Sequence, residues 1–374
     1  MVSCDLRPLT MPTIDQLQIN NFRNFSEVSL APGRGVNLIY GSNGSGKTSL
    51  LEALYVLSSG KSFRSALVEP LIKDGAPEAT VYVSTTESAK LGLSKSRNKK
   101  AQLRLNGENQ RNWDQVARAL PMLVIDSGAF DLLEGGPKIR RRFLDWGVFH
   151  VEPTFLDNWR RTAKCLAHRN SLLKSGFSRS DEIRAWDAEL SLAAHAVDTA
   201  RADYLAELLP LFERVYSALV GVHTDLSVQY KRGWPEECSL DEWLATNREL
   251  DVKYGSTQAG PHRADLEVKI GRRKATESLS RGQEKLLVCA LKVAQGELLS
   301  AAVGRRCLYL VDDLPAELDS QNRQRVMKHL LTLGSQLFVT SVEAEAIDLN
   351  AFHDAEITRF HVERGTISTQ RASL

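Results

Sequence analysis

Apolar positions in this chain follow two different periods, arranged in blocks. Residues 14–19 alternate and predict a strand; residues 20–25 turn it and 27–30 pair back. Val36-Asn37-Leu38-Ile39-Tyr40 reads as a short buried strand, and helical spacing follows at 49–57. Residues 79–84, 89–93 and 101–105 read as antiparallel strands, and 121–125 as one more. Gly135-Gly136-Pro137 then breaks the chain ahead of a helix at 138–146.

A long helical region comes next. Phe155, Trp159, Ala163, Leu166 and Leu173 fall on one stripe. Past a polar turn at 175–180, a second stripe holds Trp186, Leu190, Ala193, Val197, Ala200, Tyr204, Leu208, Leu211 and Val215. Steps of three and four predict an antiparallel helical hairpin, kinked at Pro210. A strand at 226–230 and a helix at 240–250 follow, then a turn at 258–263 entering a strand that runs to Ile270. A long helix at 284–302, a buried strand at 307–311, a helix at 321–331 and a parallel strand at 336–341 complete the pattern, which is α/β with a helical arm inserted. The expected division is 11–150, an arm at 151–250, and 251–374, with folding expected to begin near Met11.

Composition narrows the class. A chain of 374 residues suits two domains, or one large domain with an insertion. Hydrophobic content of 43% and charged content of 25% are those of a soluble globular protein. A net charge of +2 means that any surface for nucleic acid must be local. The five cysteines are scattered with no C-x-x-C pair, which argues for reduced thiols in a cytoplasmic protein and against a disulfide frame or zinc site. No apolar run of membrane-spanning length and no signal pattern is expected.

The chemistry begins at Gly41-Ser42-Asn43-Gly44-Ser45-Gly46-Lys47-Thr48, which fits the phosphate-loop pattern G-x-x-x-x-G-K-[ST] between a strand and a helix. Glycines let backbone N–H groups crowd around phosphate oxygens, and the helix N-terminus adds positive dipole. Lys47 is expected to reach the β- and γ-phosphates of ATP, and Thr48 to ligate Mg²⁺. Leu279-Ser280-Arg281-Gly282-Gln283 offers a second helix start for an anion; alone, such a stretch is usually only a cap. The strand at 307–311 ends in Asp312 and Asp313. Asp312 is expected on the Mg²⁺ side, and Asp313 to orient or deprotonate the attacking water.

Several cations stay open between two readings. Arg23 touches nucleotide or is a solvated turn residue. Arg64 lies against the triphosphate or faces solvent or DNA. Lys95, Arg97, Lys99 and Lys100, on the connection 94–100, grip phosphates or form a solvated face. Arg140, Arg141 and Arg142 span almost a full helical turn, so at least one supports the core or an ion pair while others bind phosphate or a second subunit. His262 and Arg263 serve a ligand or merely flank a turn.

Phosphate loop, signature, acidic strand and Glu317-Leu318-Asp319, with an insertion between the first two, resemble the ABC-type ATPase heads of chromosome-structure and DNA-repair proteins. Asn21-Phe22-Arg23-Asn24-Phe25, Gly60-Lys61-Ser62-Phe63-Arg64-Ser65, Arg141-Arg142-Phe143-Leu144-Asp145-Trp146 and Gly260-Pro261-His262-Arg263-Ala264-Asp265-Leu266 narrow the resemblance to the RecF family of bacteria. It covers nearly all of the chain from Met11, and departs at Glu284, at Pro315-Ala316 and at Asp126-Ser127.

The resemblance implies an ATP-dependent homodimer in which Ser280, Gly282 and Gln283 of one chain close on the phosphate loop of the other. It implies binding to single-stranded and gapped duplex DNA, with Lys99, Lys100, Arg140 and Arg141 as the candidates here. It also implies slow DNA-stimulated hydrolysis, roles in replication and SOS induction, and work with RecR, RecO and RecA. The rival from another class is the ATPase subunit of a membrane transporter, which predicts no helical insertion and usually Glu at position 313. A third reading is a DNA-bridging head that barely hydrolyses ATP.

Overall fold

The computed structural model describes residues 12–64, 69–175, 180–221, 225–345 and 356–370. Met11, Ser65 and most of the turn expected at 175–180 lie outside them. Strands, in chain order, are β1 (Ile14–Phe22), β2 (Phe25–Leu30), β3 (Val36–Tyr40), β4 (Glu78–Thr85), β5 (Lys90–Ser96), β6 (Gln102–Leu105), β7 (Glu108–Gln110) and β8 (Met122–Ile125). They continue as β9 (Leu226–Lys231), β10 (Asp265–Ile270), β11 (Arg273–Lys274), β12 (Leu308–Val311), β13 (Leu337–Ser341), β14 (Ile357–Glu363) and β15 (Thr366–Gln370). The chain divides into two compact units, Met1–Phe130 with Val215–Gly221 and Arg281–Leu374, and Asp131–Arg214 with Val222–Ser280. The second unit is thus wider than the arm expected at 151–250.

The first unit holds two six-stranded sheets. One runs β15-β14-β3-β13-β12-β8, parallel throughout except for β15 at its edge. Strands buried on both faces need apolar residues at successive positions, which is why 308–311 reads as an unbroken apolar run. In β3 the run is interrupted by buried Asn37, whose side chain is hydrogen-bonded to Gly33 and to the Leu337 carbonyl. The other, β2-β1-β4-β5-β6-β7, is antiparallel and alternates buried with exposed positions. Helix Lys47–Ser59 is buried almost all round, and Leu50, Leu51, Leu54 and Leu57 join both sheets in one core. Each such leucine contributes about 1.5–3 kcal/mol through burial.

The arrangement departs from the sequence expectation in places. Lys95 is not on a tip: it lies in β5, on the inward face shared with Leu91 and Leu93, and is only 6% exposed. The strand extends past 93 because β4 starts at Glu78, which pairs with Ser96. The hairpin β14–β15 and the helix Asp114–Ala119 have no clear apolar period. Helix Arg281–Val303 is long and apolar enough to cross a membrane on composition alone, contrary to expectation, but 67% of its apolar window is buried inside the protein.

In the second unit, helix Phe155–Lys174 and the part of helix Ser180–Val220 up to Arg214 form the expected hairpin, and the latter runs through Pro210. The buried stripe of the first helix is rotated from the expected one. Phe155, Thr162, Cys165, Arg169 and Leu173 are buried, whereas Trp159 is 44% exposed. The cause is a polar centre: fully buried Arg169 bonds Asp187 at 2.5 Å, Asp251 at 2.7 Å and Thr257 at 2.9 Å. A buried charge must be paired, so the helix turns Arg169 inward. The helix expected at 240–250 is two, Leu240–Thr246 and Arg248–Tyr254, with Asn247 between. The sheet β11-β10-β9 completes this unit.

Candidate nucleotide-binding site

The loop between β3 and helix Lys47–Ser59 needs glycine for steric reasons. A Cβ on Gly41, at φ +150°, would lie 2.2 Å from the Val362 carbonyl oxygen; one on Gly46, at φ +122°, would lie 2.6 Å from Asn24 Nδ2. The loop is braced from behind. Asn24 Nδ2 and the Gly365 N–H both donate to the Ser45 carbonyl, at 2.8 and 3.1 Å. Lys47 Nζ donates to the carbonyls of Gly41 and Ser42, at 2.7 and 3.1 Å. Burial holds the Lys47 ammonium below its usual pKa, while Asp313 and Asp312 oppose that shift. Ser45 Oγ is buried with no hydrogen-bond partner among the described residues, which suits a loop whose natural acceptors are phosphate oxygens.

At the end of β12, separated from β3 by β13, Asp312 Oδ1 accepts from Thr48 Oγ1 at 3.0 Å and from Thr340 Oγ1 at 2.7 Å. Burial raises the Asp312 carboxyl; the two threonine bonds oppose it, Asp313 adds to it, and Arg64 lowers it. Asp313 adopts a left-handed backbone, φ 50° and ψ 42°, secured by its N–H donating to Thr340 Oγ1 at 2.8 Å. A non-glycine residue in that region costs about 1–2 kcal/mol, and such strain collects at functional sites. Thr48 and Asp312 together present hard oxygen donors of the kind Mg²⁺ takes. Among the described residues no group of three or more His, Cys, Asp or Glu side chains could hold a metal. Mg²⁺ sites commonly use one or two protein oxygens plus substrate phosphates.

Both arginines expected near this loop reach it. A cavity of about 900 Å³ is lined by Arg23, Lys47, Thr48, Arg64, Asp312 and Asp313, with Asn43, Gly44, Gly46 and Thr340 among its other walls. Arg23, itself at φ 54°, donates to Glu52 Oε2 at 2.8 Å and Oε1 at 2.6 Å, and Arg64 lies 3.8 Å from Glu52. Glu52 is fully buried, and no motif in the sequence marks it. Its one signal there is a lone carboxylate in an apolar helical run. Asn24 and Thr340 are legible as polar residues only; their partners are far away in the chain.

The signature residues do not line this cavity. Helix Arg281–Val303 starts directly after Ser280, with Gly282 and Gln283 in its first turn. One turn further, Lys285 Nζ donates to the Glu317 carbonyl at 2.9 Å and pairs with its carboxylate at 2.7 Å. The signature helix is therefore tied to the short helix Leu314–Glu317 that follows Asp313.

Among the other candidates, Lys99 and Lys100 are exposed between β5 and β6. Arg140 is corrected to an ion pair: it holds both oxygens of Asp265, at 2.7 and 2.9 Å, and the Gly135 carbonyl at 2.5 Å. Arg141 donates to the Ala264 carbonyl at 2.7 Å, and Arg142 is the exposed member of the triplet. His262 and Arg263 meet Thr257 and Gln258, at 2.9 and 3.0 Å, within their own turn.

A parallel sheet with a phosphate loop, an acid pair at the end of the strand next but one and a helical insertion define an ATPase head of the SMC type. The sequence matches the RecF/RecN/SMC N terminal domain over residues 13–368. The chain belongs to the RecF family. It is 43% identical over 95% of its length to a DNA replication and repair protein RecF of Pseudomonas aeruginosa (strain LESB58), covering 97% of that protein. It is 44% identical to the RecF of Pseudomonas putida (strain GB-1), over 95% of this chain and 98% of that one. A solved structure of the recombination mediator protein RecF-ATP in the RecFOR pathway superposes with a TM-score of 0.85 at 25% identity, covering 98% of this chain and all of that one. The Smc head domain from Pyrococcus furiosus, at TM-score 0.57 and 18% identity over 96% of both chains, shares the fold.

Proposed function

We propose that this protein binds ATP in the cavity beside Lys47 and uses it to dimerise on DNA during recombinational repair. The observation that carries this reading is the convergence of Lys47, Thr48, Asp312 and Asp313 on one cavity. The loop N–H groups and Lys47 bind the phosphates. Thr48 and Asp312 would hold Mg²⁺, which supplies charge neutralisation at the phosphates. Asp313, held by Thr340, orients the attacking water. Arg23 and Arg64 bring positive charge to the same cavity. Ser280, Gly282 and Gln283 do not line it, which is what a site completed by a second copy requires.

The DNA is single-stranded or gapped duplex, and Lys99 and Lys100 are exposed candidates for its phosphates. Hydrolysis is slow, stimulated by DNA, and releases the dimer. The RecFOR pathway of the solved RecF structures supports RecO and RecR as partners, and the repair proteins among the relatives support a role in replication-linked repair; work with RecA and SOS induction extend the same reading. The scattered free thiols at Cys165, Cys238, Cys289 and Cys307 fit a cytoplasmic setting. The transporter reading is not favoured, because the relatives are repair proteins and the helical unit has no role in it.

Light scattering tests this directly. Wild type is expected to double its mass on adding ATP with Mg²⁺ and to hold gapped DNA more tightly in that state. Lys47→Arg is expected to stay monomeric, because a planar guanidinium fits the ammonium's place poorly. One unchanging mass for wild type would overturn the proposal.

A further inference from the structure

Glu52 is a carboxylate with more partners than its own burial requires. It lies in helix Lys47–Ser59, five residues after Lys47, and is fully buried. Burying a charge of this kind costs several kcal/mol unless it is paired. Arg23 alone meets that need, with one bond to each carboxylate oxygen. Yet Glu52 also accepts a short hydrogen bond from Ser62 Oγ and sits 3.8 Å from the Arg64 guanidinium. Both belong to the loop that follows the helix.

The two arginines are held differently. Arg23 is fixed at its head by Glu52 and at its backbone, where its N–H donates to the Leu71 carbonyl at 2.9 Å. Among the described residues Arg64 is hydrogen-bonded only through its backbone: its N–H donates at 2.9 Å to Ser62 Oγ, the same hydroxyl that Glu52 accepts from. Its guanidinium is beyond hydrogen-bond range of Glu52, its side chain is 48% exposed, and it lines the cavity that Asp312 and Asp313 also line. An anchored backbone with a loosely held head suits a cation that can transfer to an incoming anion.

We propose that Glu52 is the positioning residue for Arg64, holding it through Ser62 at the acid-pair end of the cavity, where it meets the last phosphate of a triphosphate. The inference rests on nucleotide binding in this cavity and adds its discrimination: ATP engages Arg64, and ADP does not.

The test is equilibrium binding of ADP and of slowly hydrolysed ATPγS to the full chain and to Glu52→Gln, Arg64→Ala and the double variant. Each single variant is expected to lose about tenfold in ATPγS affinity, the size of one charge-assisted bond, with ADP affinity changed by less than about twofold. The double variant is expected to lose no more than the weaker single, because both changes remove one interaction. Additive losses, or equal losses for both nucleotides, would reduce Glu52 to a structural ion pair and overturn the proposal. Glu52→Gln leaves Arg23 half-paired and can unfold the chain. Ser62→Ala with Arg64→Ala asks the same question with the Glu52–Arg23 pair intact; there too, additivity overturns it. Wild type that binds neither nucleotide refutes the underlying reading, a result distinct from any of these.

Discussion

Thr340 and Asp313 are joined through the backbone: the Asp313 N–H donates to Thr340 Oγ1 at 2.8 Å, while the same hydroxyl donates to Asp312 Oδ1 at 2.7 Å. One hydroxyl thus sets a left-handed backbone and orients the neighbouring carboxylate. Thr340→Val keeps the shape and removes both bonds. An unsatisfied partly buried N–H costs about 1–3 kcal/mol, so the melting temperature should fall by several degrees. Turnover should fall at least tenfold with ATP affinity nearly kept. Unchanged turnover would mean that Asp313 needs no such anchor.

Asp313→Asn isolates charge from conformation, because asparagine tolerates the left-handed region better than most residues. ATP affinity should persist while hydrolysis drops by about 10²-fold or more, as expected for loss of a group that handles the water. The ATP-bound dimer should become long-lived by light scattering. Turnover at the wild-type rate would assign the water to another residue.

Ser280→Arg separates a shared site from a self-contained one. Ser280 directly precedes helix Arg281–Val303 and is not part of the cavity wall around Lys47. The variant monomer should bind ATP normally and fail to dimerise, measured as nucleotide affinity beside mass. Loss of affinity in the monomer would place both groups in one subunit.

Arg140 and the Lys99–Lys100 pair should behave in opposite ways. Arg140→Ala leaves Asp265 without its bidentate partner and should lower the melting temperature, leaving the salt dependence of DNA binding alone. Lys99→Ala with Lys100→Ala should leave melting unchanged and weaken DNA binding at all sequences. The salt slope should drop by about 0.9 for each duplex phosphate that is no longer neutralised. An unchanged slope would make these lysines a solvated face.

Residues whose roles depend on local spacing are legible in the sequence. Gly41 to Thr48, Asp312 and Asp313 announce themselves by motif and by the apolar strands they end, and Lys47, Thr48 and both aspartates line one cavity. What is not legible depends on partners far along the chain. Arg140 looks like any basic helix residue until Asp265, 125 positions later, is folded against it. Lys95 sits in a run of charges, and only the register of β5 against β4 turns it inward. The stripe of helix Phe155–Lys174 cannot be found from apolar residues alone, because the true buried face includes Arg169. Strands β14 and β15 are mostly polar, with Phe360 and Val362 of β14 as their buried hydrophobic positions.

The strand that carries the phosphate loop is an early part of the chain flanked by late ones. β3 is hydrogen-bonded to β13 on one side and β14 on the other. Ile14 meets the Gln336 side chain across 322 positions, and Gly365 closes behind Ser45. During synthesis the loop therefore leaves the ribosome long before its supports exist. A nascent chain that stops short of β13 has no frame for nucleotide, and pairings of such separation are slow to form. The ATP site thus acquires its frame only once β13 and β14 have been made, when the helical unit has already been synthesised.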